Sequence, residues 1–276
     1  MRGVTVADAL DGARTAIAAS GSDSAALDAE LLLAHALGVN RAALIIDPER
    51  EVLGPPVRVF QDLVRRRSVG REPVAYLLAR KGFRSIDLSV DSRVLIPRPE
   101  TELLVELALE LPARSRVLDV GSGSGAIALA LKHERPDLSV TGADISTEAL
   151  EVARTNAERL QLEVEFLEAD LLTGLGGGWD AILSNPPYIA EVERQNLPPD
   201  VIGHEPELAL MAGADGLDVI RPLVASAGQS EARFLAIELG AGQAGTVAEL
   251  VAAAGFTGVD VHADLAGIER VVLGQR

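Results

Sequence analysis

The sequence contains no cysteine and very few aromatic residues, which make up 3% of its 276 positions. The absence of thiols excludes disulfides, cysteine nucleophiles and cysteine-based zinc sites, and it is typical of proteins kept in a reducing compartment. We therefore expect a cytoplasmic protein. The four histidines are far apart along the chain and show no metal-ligand spacing, so we expect no metal site.

Positive charge is also scarce, since 25 lysines and arginines stand against 41 aspartates and glutamates and give a net charge of −16. Such a chain lacks the basic face that binding to nucleic-acid phosphates requires, so stable nucleic-acid binding is not expected. No apolar run approaches the roughly 18 residues of a membrane span. The first residues carry Asp8 and Asp11 instead of the apolar segment of a secretory signal, and no membrane association is expected.

Apolar residues, in contrast, are plentiful at 48% of the chain, enough for one large domain and one small domain. Residues 1–72 show apolar residues at helical spacing and predict a small helical domain. Residues 73–96 predict a linker, in which the alternation over 83–90 indicates a β-hairpin. Residues 97–276 then form the predicted second domain, which begins with a helix near Pro99.

Two local features stand out in the helical domain. Thr5 and Asp8 have the spacing of a capping box at the start of the first helix. The last long helix carries the run Arg65–Arg67, followed by Arg71. Such a run predicts either a solvated face or a partner-binding patch, and the sequence leaves both open.

From Arg114 onward, strands and helices alternate in the manner of a doubly wound sheet. The predicted strands are Arg116–Val120, Leu138–Ala143, Val164–Ala169, Asp180–Ser184, Arg233–Glu238, Thr257–His262 and Arg270–Leu273. The predicted helices lie at about Gly125–His133, Thr147–Leu160, Gly216–Ala227 and Gln243–Ala254. The last two strands are joined by a short loop, which predicts an antiparallel hairpin at the edge of a seven-stranded sheet.

A glycine-rich turn follows the first strand of this sheet and predicts a cofactor site. Its residues are Gly121, Ser122, Gly123, Ser124 and Gly125. Glycines let the backbone approach a ligand closely, and Asp144 at the end of the next strand has the position of a carboxylate that accepts ribose hydroxyls. A nicotinamide dinucleotide site uses the same features. Asp119 would repel a pyrophosphate but not an ammonium or a sulfonium, which favours S-adenosylmethionine over NAD. Asn185, at the end of the fourth strand, agrees with this choice and is predicted to contact the cofactor as well.

Asp170 and Leu171 follow the third strand of the sheet. A carboxylate and an apolar side chain at this position suit the amino group and the ring of an adenine. A cap at the end of a strand explains the same two residues equally well, so the sequence leaves both interpretations open.

The fourth strand ends in Asn185, Pro186, Pro187 and Tyr188. Neither proline can donate to a sheet ladder, so the chain must leave the sheet at Asn185 in a stiff, extended turn. An amide oxygen, the carbonyl of Pro186 and the ring of Tyr188 suit a planar –NH2 group, whose two hydrogens need acceptors and whose face can stack. The turn therefore predicts a catalytic pocket for an amide or an exocyclic amine.

Six sequence blocks occur in the order Glu72–Tyr76, Leu95–Glu102, Gly121–Gly125, Asn185–Tyr188, His204–Pro206 with Gly213–Leu217, and Asp264–Gly267. This series resembles the HemK-type (PrmC) peptide chain release factor glutamine N5-methyltransferases over nearly the whole chain. Asn-Pro-Pro-Tyr alone occurs in many methyltransferases that act on amino groups. The block Pro97–Glu102 together with an N-terminal helical domain is more specific to the release factor enzymes.

The resemblance implies a class I methyltransferase sheet whose last strand is antiparallel, and S-adenosylmethionine as the cofactor. It further implies that the substrate is the glutamine of the Gly-Gly-Gln tripeptide of class 1 release factors, which the helical domain 1–72 grips. The sequence departs from the family at Arg84, where a second aromatic residue is usual.

Two other functions are compatible with parts of the sequence. The same four-residue turn serves enzymes that methylate an exocyclic amine of a DNA or RNA base, but these need a surface rich in Arg, Lys and aromatic residues. Only the arginines at 65–71 form such a cluster here. A binding protein that has lost catalysis is disfavoured because Asn185–Tyr188 and the glycine turn are both complete.

Overall fold

Helices make up the first part of the chain, and strands alternate with helices in the rest, in a computed structural model that describes residues 4–276. The helices are α1 (Val6–Ala19), α2 (Ala25–Leu37), α3 (Arg41–Ile46), α4 (Pro55–Ser68), α5 (Val74–Leu77), α6 (Glu102–Ala108), α7 (Ala126–Glu134), α8 (Thr147–Leu160), α9 (Pro199–Ile202), α10 (Ile220–Gln229) and α11 (Ala244–Ala253). The strands are β1 (Lys81–Phe83), β2 (Ile86–Leu88), β3 (Arg116–Val120), β4 (Ser139–Asp144), β5 (Glu165–Glu168), β6 (Ala181–Ser184), β7 (Phe234–Glu238), β8 (Gly258–Ala263) and β9 (Glu269–Gln275). Short 3₁₀ turns occur at Pro99–Thr101, Glu191–Asn196 and Glu207–Ala209.

The chain divides into two units, and the division falls inside the predicted linker 73–96. One unit contains the residues up to Arg80 together with Pro198–His204, and the other contains Lys81–Leu197 and Glu205–Arg276. Among residues 4–276, no helix has both the length and the apolar character needed to cross a membrane.

The first unit is a bundle of α1, α2 and α4 with shorter helices. Ile17, Leu32 and Leu33 are completely buried in its core. The predicted capping box is confirmed, because the Asp8 N–H donates to Thr5 Oγ1 at 3.1 Å and the Thr5 N–H donates to Asp8 Oδ2 at 3.1 Å. These two bonds satisfy backbone donors that a helix start leaves unpaired, and so fix where α1 begins.

The arginine run on α4 does not form one solvated face. Arg67 is 6% exposed, and its Nε donates to Asp28 Oδ2 at 2.7 Å within the bundle. Arg66 pairs with Glu72 at 2.5 Å, whereas Arg65 stays exposed beside Asp62. A buried charge needs a partner of opposite sign, so Arg67 belongs to the interior of the unit and the prediction of a solvated face is wrong for that residue.

The second unit is built on a seven-stranded sheet with the order β5-β4-β3-β6-β7-β9-β8. Strands β3 to β7 pair in parallel, and β9 is antiparallel to both β7 and β8. The predicted doubly wound sheet with an antiparallel last strand and an edge hairpin is thus confirmed. Leu118, Ile182 and Leu235 are completely buried on neighbouring strands, because a parallel sheet is covered on both faces.

The strand order places a crevice beside β3. This strand pairs with β4 on one side and with β6 on the other, so the order of the strands reverses there. Open α/β sheets bind ligands outside the carboxyl ends of the strands at such a switch point. The loops that follow β3, β4, β5 and β6 carry the residues that the sequence predicts for cofactor and substrate.

The bounds of several elements differ from the prediction. The hairpin pairs Lys81–Phe83 with Ile86–Leu88, earlier than the predicted 83–90. The helix predicted from Gly216 begins at Ile220, because Gly216 is in the left-handed region at φ +76 and turns the chain first. Arg84, at the hairpin turn, donates to Glu134 from Nε at 2.6 Å and from Nη2 at 2.8 Å. A forked ion pair therefore stands where relatives were expected to place an aromatic ring.

Candidate active site

A cavity of about 210 Å³ lies at the carboxyl ends of the parallel strands in the second unit. Its walls include residues that the sequence predicts from four separate loops: Gly121, Gly123, Asp144, Asp170, Leu171, Asn185, Pro186 and Pro187. Ser122, Ser124, Gly125 and Tyr188 are not part of the cavity wall. The fold therefore gathers most of the predicted site into one cavity, and it places the remaining four residues behind that wall.

The glycine turn owes its shape to three left-handed residues. Gly121, Gly123 and Gly125 have φ values of +74, +53 and +81, which cost a residue without Cβ little. A Cβ on Gly125 would come within 3.0 Å of both Leu129 and Phe166. Gly125 thus lets α7 pack closely on the sheet, while Gly121 and Gly123 bring bare backbone to the cavity.

The two serines of this turn hold it from behind. Ser122 is 6% exposed, and its Oγ donates at 3.0 Å to the carbonyl of Asp119 or at 3.2 Å to that of Ala143. Ser124 is 2% exposed, and its carbonyl accepts Asn156 Nδ2 at 3.0 Å. Both serines therefore support the turn from the protein interior.

Asp119 lies behind the cavity wall. Instead of lining the cavity it is fully buried, and its Oδ2 accepts the Ala128 N–H of α7 at 3.2 Å. Burial raises the pKa of its carboxyl to about 7. This carboxyl supports the first turn of the helix after the glycine turn, and its predicted place near the positively charged part of the ligand stays a prediction.

Asp144, the last residue of β4, joins this strand to the glycine turn. Its Oδ2 accepts the Gly123 N–H at 2.8 Å, and its Oδ1 accepts the Ser146 N–H at 2.9 Å. Burial raises the pKa of this carboxyl above its ordinary value, although the backbone donors act in the opposite direction. Each carboxylate oxygen can accept a second bond, so Asp144 keeps acceptor capacity for a ligand in the cavity.

Apolar walls flank Asp144. Ile145 and Leu208 both line the cavity, and they are 52% and 62% exposed. Leu171 on the opposite loop has φ +53, an uncommon conformation for a residue with a Cβ. Sequence reasoning missed Ile145 and Leu208. For Ile145 the signal was its position directly after Asp144, whereas Leu208 lies in a 3₁₀ turn without periodicity.

The turn after β6 places Asn185 at the cavity through a bond to a distant residue. Asn185 Nδ2 donates to Thr101 Oγ1 at 3.0 Å, and Thr101 is 4% exposed. Pro186 and Pro187 continue the cavity wall, and Pro186 is buried. The amide nitrogen of Asn185 is therefore held by the protein, which turns its amide oxygen away from Thr101.

Tyr188 packs against the core of the second unit. Its backbone carbonyl accepts Gln243 Nε2 at 3.0 Å. Burial is the main reason why the pKa of its phenol is raised to about 12, and the nearby carboxylate of Glu238 acts in the same direction. The phenol thus remains protonated at neutral pH and cannot serve as an anionic base.

A buried ion pair joins two blocks that the sequence shows far apart. Glu205 is 6% exposed, and its Oε1 accepts Arg98 Nη2 at 2.5 Å while its Oε2 accepts the Ile96 N–H at 3.1 Å. The segment before the 3₁₀ turn Pro99–Thr101 is thereby tied to the segment that precedes Leu208. Glu205 was part of a recognised sequence block, but only the structure shows that it positions the chain beside the cavity.

The cavity suits a ligand that combines a sugar, an apolar ring and a charged tail. Asp144 offers a carboxylate for hydroxyl groups, Ile145 and Leu171 offer apolar contacts, and Gly121 and Gly123 leave room for close approach. These groups fit S-adenosylmethionine. The adjoining amide of Asn185 fits a polar acceptor group outside the cofactor.

Comparisons with known proteins agree with this geometry. A family model described as "Methyltransferase small domain" matches residues 99–205, and one described as "PrmC N-terminal domain" matches residues 8–78. The release factor glutamine methyltransferase of Deinococcus radiodurans is 43% identical over 275 residues, which cover 98% of each chain. The protein of the same name from Pseudomonas aeruginosa is 46% identical over 260 residues, 92% of this chain and 94% of its own.

A solved methyltransferase structure shares the fold at much lower identity. A methyltransferase from Pyrococcus furiosus matches with a TM-score of 0.53 and 18% identity, and the match covers 69% of this chain and 88% of that one. This likeness shows a methyltransferase fold for the unit that contains the cavity. It carries no information about the substrate.

Proposed function

Because the chain belongs to the family of release factor glutamine methyltransferases, we propose that it methylates the side-chain amide nitrogen (N5) of a glutamine in peptide chain release factors. The substrate residue is the glutamine of the Gly-Gly-Gln motif, and the reaction takes place in the cytoplasm, where these factors end translation. The observation that carries the proposal is the position of Asn185 in the wall of the cavity that the glycine turn and Asp144 also line.

The cofactor is S-adenosylmethionine, which when bound supplies an electrophilic methyl group on a sulfonium. We assign the binding of its adenosine part to Asp144, Asp170 and Leu171. Gly121 and Gly123 would let the cofactor lie close to the backbone. Ser122, Ser124 and Gly125 act indirectly, because they hold the turn in shape. Desolvation by the surrounding apolar side chains favours a transfer that neutralises a positive charge.

The chain's own contribution to the reaction is the alignment of a poor nucleophile. The lone pair of an amide nitrogen is delocalised, so attack requires that both N–H groups are held and the lone pair is aimed at the methyl carbon. We assign one N–H to Asn185 Oδ1 and the other to the carbonyl of Pro186, while Pro187 keeps the turn stiff and Tyr188 packs beside the planar group. Such alignment lowers the barrier because displacement depends steeply on near-attack geometry. As the nitrogen–methyl bond forms, the methyl–sulfur bond would break to leave a neutral thioether, and the nitrogen would release one of its two protons to solvent.

The helical unit is assigned to docking of the release factor. Ile46 and Val69 are the two apolar side chains that we assign to this docking, since they are 81% and 79% exposed. Ile46→Asp should therefore raise KM for the release factor severalfold and leave cofactor affinity unchanged. Val261→Asp, at an exposed position of β8, is the matched control. Unchanged KM in both Ile46→Asp and Val69→Asp would assign docking to another surface.

The proposal is tested by methyl transfer from labelled S-adenosylmethionine to three substrates in parallel: a class 1 release factor, DNA and ribosomal RNA. Label in the release factor alone is the expected result. Label in DNA or RNA without label in the factor would replace the proposal by methylation of an exocyclic base amine.

A further inference from the structure

A buried carboxylate lies beside Thr101, the partner of Asn185, and has no place in the mechanism above. Glu238 ends β7 and is 1% exposed. Its Oε2 has no hydrogen-bond partner among residues 4–276, and the hydroxyl of Thr101 acts on the same carboxylate as a neighbouring donor. Burying a charge without a paired cation is costly, so the fold keeps Glu238 at the expense of stability.

The cations around Glu238 are engaged elsewhere. Arg98, before the 3₁₀ turn, is paired with Glu205 at 2.5 Å, and Arg270 of β9 donates to Asp264 at 3.0 Å. Glu100, on the same 3₁₀ turn as Thr101, adds a second negative charge that acts on Glu238. The donor that acts on Glu238 is consequently the neutral Thr101 hydroxyl.

The Thr101 hydroxyl has a single hydrogen, which sets the direction of the hydrogen bonds on either side of it. While Glu238 is ionised its carboxylate can only accept, so Thr101 must then donate its hydrogen to it. Thr101 Oγ1 can then only accept from Asn185, at 3.0 Å, which requires the –NH2 end of the Asn185 amide to point at Thr101. The Asn185 amide oxygen is thereby turned away from Thr101, the orientation that accepts an N–H of the substrate amide.

We propose that Glu238 and Thr101 are positioning residues that fix the orientation of the Asn185 amide through a one-way chain of hydrogen bonds. The inference rests on the proposed function, since it assigns a reason for the orientation that glutamine methylation needs. These hydrogen bonds hold the Asn185 amide oxygen in the accepting orientation and prevent the amide from flipping. A substrate amide then meets an acceptor that is already aimed, which is the condition for efficient alignment.

Protonation of Glu238 would reverse the direction of these hydrogen bonds. Burial and Glu100 raise the pKa of Glu238, whereas Thr101, Arg98 and Arg270 act against this, and the result is a pKa of about 7. A protonated carboxyl can donate to Thr101, which frees the hydroxyl hydrogen for Asn185 Oδ1 and favours the flipped amide. The turnover of the wild type should therefore fall as the pH drops below about 7.

The test compares Thr101→Val, Thr101→Ser and Thr141→Val in the full-length enzyme. Valine keeps the shape of threonine without its hydroxyl, and serine restores the hydroxyl. Thr141 is 7% exposed on β4 and does not line the cavity, so Thr141→Val controls for the loss of a buried hydroxyl. For each variant, kcat and KM are measured with a release factor, and cofactor affinity by calorimetry.

Thr101→Val should lower kcat at least about tenfold, which corresponds to roughly 1.4 kcal/mol of barrier. Its KM and cofactor affinity should stay within about twofold, Thr101→Ser should recover most of kcat, and Thr141→Val should match the wild type. Wild-type kcat with Thr101→Val would overturn the inference, as would a loss that serine does not restore or that cofactor affinity shares. A wild type that does not methylate glutamine would instead refute the proposed function.

Discussion

Asp144→Asn tests whether one carboxylate both shapes the glycine turn and holds the cofactor. In the structure the two oxygens of Asp144 accept backbone N–H groups on opposite sides, from Gly123 at 2.8 Å and from Ser146 at 2.9 Å. Asparagine keeps one acceptor oxygen but presents an –NH2 group to the other N–H. One charged hydrogen bond is lost, and two donors then face each other at the cavity wall.

The size of the effect follows from these bonds. A hydrogen bond to a charged group contributes about 1.5–3 kcal/mol, and the facing donors add to its loss. If about 2–3 kcal/mol of this appears in binding, the Kd for S-adenosylmethionine rises roughly thirty- to a hundredfold, at 1.4 kcal/mol per factor of ten. Any contact between Asp144 and the ribose would be weakened by the same substitution, so the lower end of this range is a minimum.

Isothermal titration calorimetry with S-adenosylmethionine measures this change directly. Asp137→Asn is the control, because Asp137 also accepts a backbone N–H, that of Arg114 at 3.2 Å, but does not line the cavity. Wild-type Kd in Asp144→Asn, in a preparation with wild-type thermal stability, would refute the reasoning. An equal loss in Asp137→Asn would show that the assay reports general stability.

Three further predictions concern catalysis, packing and pH. Asn185→Ala should lower turnover at least about a hundredfold while cofactor affinity changes much less, because the substrate amide loses an acceptor and its alignment; both quantities are measured on one preparation. Gly142→Ala should lower the free energy of unfolding by about 1–3 kcal/mol in denaturant titrations, since its Cβ would come within 2.5 Å of the Phe166 ring and of Ser122 Oγ. The pKa of Glu238 is raised from 4.5 to about 7, so the folded chain retains a proton that the unfolded chain releases, and this contribution to stability is lost as pH rises from about 4.5 to 7. Between pH 5 and pH 8, the unfolding free energy of the wild type should therefore fall relative to that of Glu238→Gln. A difference between the two proteins that does not change with pH would contradict the raised pKa.

Local sequence signals were sufficient for most of the sheet. The strand Arg116–Val120 and the helix Thr147–Leu160 have the predicted bounds, because apolar residues continue up to the glycine turn in one case and Ser146 caps the start in the other. The helix expected from Gly216 begins later, since a Cβ at Gly216 would lie 2.3 Å from the Tyr188 carbonyl oxygen and the chain turns there. Local composition contains no information about that contact.

The candidate site was predictable where function depends on backbone shape. The glycine turn and Asn185 directly follow strands and Asp144 ends one, so their gathering at one sheet edge follows from a parallel sheet. Thr101 was not predictable as a partner of Asn185, because 84 residues separate the two and only the tertiary fold brings them together. The bond from the Ala128 N–H to the Asp119 carboxylate was not predictable either, because it depends on how the helix after the glycine turn packs on the strand.

The measurement that tests the central claim most directly is mass spectrometry of a class 1 release factor after incubation with the enzyme and S-adenosylmethionine. The account predicts one added methyl group on the side-chain amide of the glutamine in the Gly-Gly-Gln motif. It also predicts that the Asn185→Ala enzyme, at equal concentration and with near-normal cofactor affinity, leaves that glutamine largely unmodified. A methyl group on another residue, or equal modification by the Asn185→Ala enzyme, would contradict the account.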